Sequence, residues 1–358
     1  MSPGLPMLAR MARKKKRLPK DFDTTLRSGD LDAMKAVFET TELDAHDGMY
    51  GPTALGVYDI PPELVAWLVE QGADVEAVDR SGHTPLWRHA RVGHDAIVTA
   101  LLDAGADVAN PQRPALHSAA EGANPSTVRL LLERGADPLV LKGQSTALAS
   151  GLQYCSNIHL PEMAEVAEVL LDAGTPVTPV MRERIEEIGK RFEFYRAGFN
   201  PDYIDEAYAG LTRLYELFGV TPVGQRRTHD GASPITVTAT AWDDRHQELW
   251  DYLVPGQGPA ATAQGEAIRI TGRLAHEVLD NGGINWDSDF RSMARTLPTL
   301  FASGVPLPDA QLSEAATLAL NYRRDSPEEH IQRLSELAVW WVLANPEPLP
   351  APEPAYAR

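Results

Sequence analysis

The chain has 358 residues, 43% of them hydrophobic, and a formal net charge of −17 from 33 Lys and Arg against 50 Asp and Glu. That length holds two or three domains with real cores, and a single cysteine excludes an internal disulfide and points to a reducing, cytoplasmic setting. The acidic balance argues against nucleic acid as a partner. The apolar run at residues 337–344 falls far short of the ~20 residues a membrane span needs.

Residues 1–20 carry seven bases and no acid: Arg10, Arg13, Lys14, Lys15, Lys16, Arg17 and Lys20. Such a run suits a nucleic-acid or anionic-membrane arm. Met7 and Met11 stand ahead of most of it, however, and a start at Met11 would make it a short, solvated, disordered leader, which is the reading taken. No apolar stretch follows, so it is not a signal peptide. Arg outnumbers Lys 26 to 7, the composition of a GC-rich, bacterial genome. Residues 21–180 hold 24 acids against 9 bases, a field that favours a basic protein partner.

From residue 53 a phrase recurs. Openings stand at Thr53-Ala54-Leu55, Thr84-Pro85-Leu86, Pro114-Ala115-Leu116 and Thr146-Ala147-Leu148. Closings stand at Gly72-Ala73-Asp74, Gly105-Ala106-Asp107, Gly135-Ala136-Asp137 and a degenerate Gly174-Thr175-Pro176. Each copy encloses two short apolar-periodic segments that pair as a helical hairpin, and a hairpin that cannot bury its own apolar face must stack on neighbours. Thr caps the first helix, Pro85 sits where a missing N–H costs nothing, and the closing Gly ends the second helix.

The repeat resembles the ankyrin repeat, whose period is about 33 residues and whose opening is Thr-Pro-Leu-His. The best copy spans residues 79–110, and a degenerate unit at 26–38 looks like an N-terminal cap, giving about five units across 21–180. The pattern is broken in places: Trp87 replaces His, Pro114 replaces Thr, Ala123-Asn124 replace Gly-His, and the fourth copy has about seven extra residues around 154–161, read as a tolerated loop. The resemblance implies protein binding through the hairpin tips and adjoining helix residues. The family's variable contact positions fall on Arg80, Ser81, His83, Arg91 and Val92, then on Asn110, Arg113 and Glu121, then on Lys142, Ser145, Gln153 and Tyr154.

Helices at 181–197 and 201–218 lack the repeat anchors and make a hairpin, 181–220, that caps the array. A linker, 221–233, leads to a helical C-terminal domain, 234–345, and a Pro-rich, disordered tail, 346–358. Helices are predicted at 262–281, ended by Asn281-Gly282-Gly283, and at 286–303, 309–322 and 326–343, with Asp309 and Ser326 as caps. Residues 235–238 are the one candidate strand, so the fold class is all-α: an ankyrin solenoid followed by a helical domain.

Chemistry is hard to find. Gly256-x-Gly258-x-x-Ala261 lacks the strand and helix of a dinucleotide fingerprint. Asn285-x-Asp287-x-Asp289 has Phe290 where a calcium loop needs Gly. His276-Glu277 lacks the second His of a zinc protease helix, and Cys155 with His159 lacks further ligands. One polar cluster remains: Glu266, Arg269, Arg273 and Glu277 share a helical face, followed by Asn281, Asn285 and Asp287. It reads first as surface or interdomain ion pairing, then as a binding site, last as a catalytic pair. No cofactor or metal is indicated. The sequence therefore predicts a non-catalytic adaptor or scaffold, with an inhibitor of a basic toxin or an enzyme with a recruiting array as alternatives.

Overall fold

The computed structural model describes residues 13–48, 51–354 and 356–357, so Met7, Arg10 and Met11 lie outside the described residues. The protein is mostly helical. It forms two compact units, one ending at Gly189 and taking in Pro201–Pro222, the other made of Lys190–Asn200 and Val223 onward.

The first unit opens with β1 (Lys15–Arg17), α1 (Phe22–Arg27), α2 (Leu31–Thr40) and β2 (Thr41–His46). The two strands pair in parallel, Lys14 Nζ donates to Phe38 O at 2.6 Å, and Leu18 is buried. Lys15–Arg17 are thus held in a strand, with their side chains exposed, rather than disordered as the leader reading has it. Paired elements then follow: a 3-10 turn (Ala54–Gly56) with α3 (Pro62–Glu70), α4 (Pro85–Val92) with α5 (Asp95–Asp103), α6 (Ala115–Glu121) with α7 (Pro125–Glu133), and α8 (Ala147–Tyr154) with α9 (Leu160–Asp172).

The anchors act as their chemistry dictates. Thr84 and Thr146 side chains accept from Trp87 N and Ala149 N, satisfying helix-start donors. All four closing glycines, including Gly174 of the degenerate copy, hold φ between +93° and +98°, a region costly for a side chain. Where the pattern breaks, the structure compensates. Ala123 takes φ +54°, the one positive value outside glycine among the described residues, and Asn124 Nδ2 donates to Arg91 O at 2.9 Å, tying unit four to unit three. The extra residues of the last copy do not form an open loop. They make a 3-10 turn (Asn157–His159) and lengthen α9 to 13 residues, against 9 in α5 and α7.

First elements stack on first elements and second on second, giving two rows, and α11 (Pro201–Phe218) packs on α9. Between α9 and α11 runs α10 (Pro179–Tyr195), whose residues from Lys190 belong to the second unit.

The second unit surrounds one helix. It comprises α12 (Trp242–Leu253), α13 (Ala263–Ala275), a π-helical turn (His276–Asp280), α14 (Ser288–Phe301), α15 (Asp309–Asn321) and α16 (Glu328–Ala344). Residues 263–271 are all buried, because α12, α14 and α16 close around α13. Small residues permit this: a Cβ on Gly272 would stand 2.3 Å from the Trp250 ring.

Several expectations are corrected here. The helix predicted to run to Asn281 widens into the π turn at His276. Neither Asp309 nor Ser326 is a cap: Pro308 and Pro327 hold those positions, and the Ser326 hydroxyl accepts from Arg323 N instead. Residues 235–238 form no strand; Ile235 N donates to Pro346 O. The linker is docked, since Arg226 donates to the carbonyls of Phe194, Trp250, Asp251 and Val254, covering the C-terminal end of α12. The tail is packed too. Ala263 N donates to Leu349 O, Leu349 N to Gln264 Oε1, and Gln264 Nε2 to Asn345 O and Glu347 O, while Tyr356 is buried. Its many prolines cost little there, because few of its own N–H groups are needed.

Candidate functional site

The first-row helices α4, α6 and α8, with the hairpins before them, hold the predicted contact positions, and the structure brings five of the twelve together. Arg91 Nη1 donates to Glu121 Oε2 at 2.7 Å and Lys142 Nζ donates to Glu121 Oε1 at 3.1 Å, so three consecutive repeats meet at one carboxylate. The Arg91 guanidinium lies 5.9 Å from the Tyr154 ring, which is 59% exposed. Lys142 Nζ lies 6.0 Å from the Trp87 ring, and His83 stacks flat on Trp87 at 3.8 Å. Val92 is exposed close by in sequence.

Other predicted positions are structural. Arg113 donates from Nε to Gly82 O and from Nη2 to Ser81 O, bridging successive hairpins. Asn110 Oδ1 accepts from Gln112 N and Arg113 N, while its Nδ2 donates to Glu76. The Ser145 carbonyl meets His117 Nε2 at 2.9 Å. Arg80 and Gln153 are exposed.

Sequence reasoning missed Asp79, Arg88 and Tyr58. Arg88 donates from Nη1 to Asp79 Oδ2 at 2.9 Å and from Nε to Gly56 O, and it lies 4.9 Å from the Tyr58 ring. Burial would raise the Asp79 carboxyl, yet the His83 and Ser81 N–H groups, the His83 ring and Arg88 hold it below its ordinary value. Burial holds the imidazoles of His83 and His117 below their ordinary range and pushes His89 down to about 4. The signal available in the sequence was Trp87, a large ring where the repeat has His.

The polar cluster of the C-terminal unit divides. Glu266 and Arg269 are 1% and 2% exposed, a bidentate pair at 2.7 and 2.8 Å, with Tyr356 Oη and Ala260 N also donating to the Glu266 carboxylate. Burial alone would raise Glu266; Arg269 and Tyr356 hold it below the usual carboxylate range. The surface ion-pair reading does not hold for this pair, because residues 263–271 of α13 are all buried. Arg273, Glu277, Asn281 and Asn285 instead line a cleft of about 710 Å³ with Trp242, His246 and Trp250. Glu277 accepts from Asn281 Nδ2 and Asn285 N, which fixes the π turn. Asp287 caps α14, its side chain accepting from Asp289 N and Phe290 N. His246, pushed down to about 4 by burial, meets Thr271 Oγ1 at 2.8 Å, and at the exposed rim of the cleft His276 Nδ1 meets Asp280 Oδ2 at 2.9 Å. Among the described residues no three His, Cys, Asp or Glu side chains are grouped to hold a metal ion, and no helix is long and apolar enough to cross a membrane.

A two-row stack of helical hairpins with threonine caps and left-handed glycine closures defines a helical-repeat array, and comparison with known proteins identifies its class. Residues 55–141 match the family model of ankyrin repeats, in three copies, so this stretch of the chain is an ankyrin-repeat array. Ankyrin repeats are protein-interaction modules, and no enzyme family is indicated. The chain is also similar to an ankyrin repeat domain of Acinetobacter baumannii AYE, with 22% identity over 54% of this chain and 96% of that one and a TM-score of 0.37. No curated protein matches it.

Proposed function

We propose that the protein is a non-catalytic adaptor or scaffold of the cytoplasm that grips another protein through the first-helix row of units three to five. The observation that carries this is the meeting of Arg91, Glu121 and Lys142 from three repeats beside the exposed ring of Tyr154. Arginine and aromatic side chains in one patch are the composition of interface hot spots. The buried thiol of Cys155 fits a reducing compartment.

The test is affinity purification with the full chain and with Arg91→Ala/Tyr154→Ala. Loss of the partner by tenfold or more, about 1.4 kcal/mol, with unchanged thermal stability is expected. Recovery of the same partner in the same amount would place the binding surface elsewhere.

A further inference from the structure

The array's acidic balance is concentrated at its start, where residues 21–74 carry 12 acids against two bases, whereas units three to five divide into two faces of opposite character. In units three to five, the hairpins and first helices (75–92, 108–121, 139–154) carry five cations, Arg80, Arg88, Arg91, Arg113 and Lys142, against three acids, Glu76, Asp79 and Glu121. The second helices and their closings (93–107, 122–138, 155–176) carry nine acids against two bases, and both bases, Arg129 and Arg134, are paired to outer acids, Glu165 and Asp103.

Burial sharpens the contrast. The side chains of Asp79 and Glu121 are 6% and 7% exposed, whereas those of Arg91 and Lys142 are 35% and 36% exposed. The carboxylate of Glu121 thus lies beneath the more exposed side chains of Arg91 and Lys142. Trp87 Nε1, under this surface, is buried without an acceptor among the described residues. Arg91 and Lys142 are also partly desolvated by the rings they lie over, which strengthens their attraction for an incoming anion.

We propose that this surface takes an extended Asp- and Glu-rich segment of the partner protein. Three stacked first helices at ~10 Å spacing span ~20 Å, room for about six extended residues. The partner is therefore acidic at its point of contact, the reverse of what the net charge suggests. A nucleic-acid strand fits less well, because a long polyanion leaving the patch must pass the acidic second row. This inference rests on the first-helix row being where the array binds protein.

The test titrates the full chain with a fluorescein-labelled octapeptide rich in Asp and Glu, beside a Lys-rich octapeptide and a single-stranded oligonucleotide of equal charge. Expected is saturable binding of the acidic peptide that weakens as salt rises and falls at least tenfold in Arg91→Ala/Glu121→Gln/Lys142→Ala. Glu121→Gln is included because removing both cations would leave a buried carboxylate unpaired. Should that variant unfold, Lys142→Gln alone replaces it, with a smaller loss expected.

Unchanged affinity in a folded variant, equal binding of the Lys-rich peptide, or tighter binding of the oligonucleotide would overturn the inference. Cross-linking of a captured partner separates the two readings. Contacts on the first-helix row through a neutral or basic segment would defeat only the acidic one, whereas contacts confined to the C-terminal unit would defeat both.

Discussion

The array and the C-terminal unit put charged side chains to opposite uses. In the array, ion pairs join one repeat to the next, at the surface for Arg134 with Asp103 and over a buried carboxylate for Arg91 with Glu121, 31 and 30 residues apart. In the C-terminal unit, Glu266 and Arg269 are removed from solvent altogether and closed over by Tyr356, 90 residues downstream. Surface pairs present charge and contribute little to stability, while a buried pair fixes one arrangement of a core and is costly to break.

That contrast is open to measurement. Glu266→Ala leaves Arg269 charged and buried; urea unfolding followed by tryptophan fluorescence is expected to lose about 3–5 kcal/mol from the C-terminal transition. A loss within 1 kcal/mol would mean that Arg269 reaches water and that the pair is not a core element. Acid acts next. With folded values of about 4 against an ordinary 6.5, His89 and His246 bind protons more readily when unfolded, so stability is full above pH 6.5 and falls as pH drops toward 4, by about 3 kcal/mol for each. Melting temperatures across that range check the sign, and His246→Asn should flatten only the C-terminal unit's profile. The smallest effect belongs to the array: Arg134→Ala removes a pair whose Asp103 side chain is 63% exposed, and a change below about 1 kcal/mol is expected. A larger loss would erase the distinction drawn between the two regions.

The array was legible because its rules are local. Thr84 caps a helix three residues away and Gly105 closes one it has just left, so spacing alone predicts both. The degenerate Gly174 keeps the same backbone angle although its neighbours changed, because only the glycine was required. The face-by-face division of charge was not legible, since a sum over a repeat merges its two helices. Nor was the burial of Arg269. A spacing of three on a helix describes an exposed pair and an enclosed one equally well, and what distinguished them was the run of small residues about Gly265 and Gly272 that lets three helices approach. The tail was misread because proline-rich composition signals lack of regular structure, not lack of contacts.

Gln264 gives the C-terminal unit a particular order of assembly. Its buried amide is satisfied only by residues 345, 347 and 349, so more than 80 further residues must be synthesised before it is paired. On a ribosome, each array hairpin finds its partners within about one repeat and can settle as it emerges. The helix bearing Gln264 must wait, its polar groups in water, until the distant segment arrives.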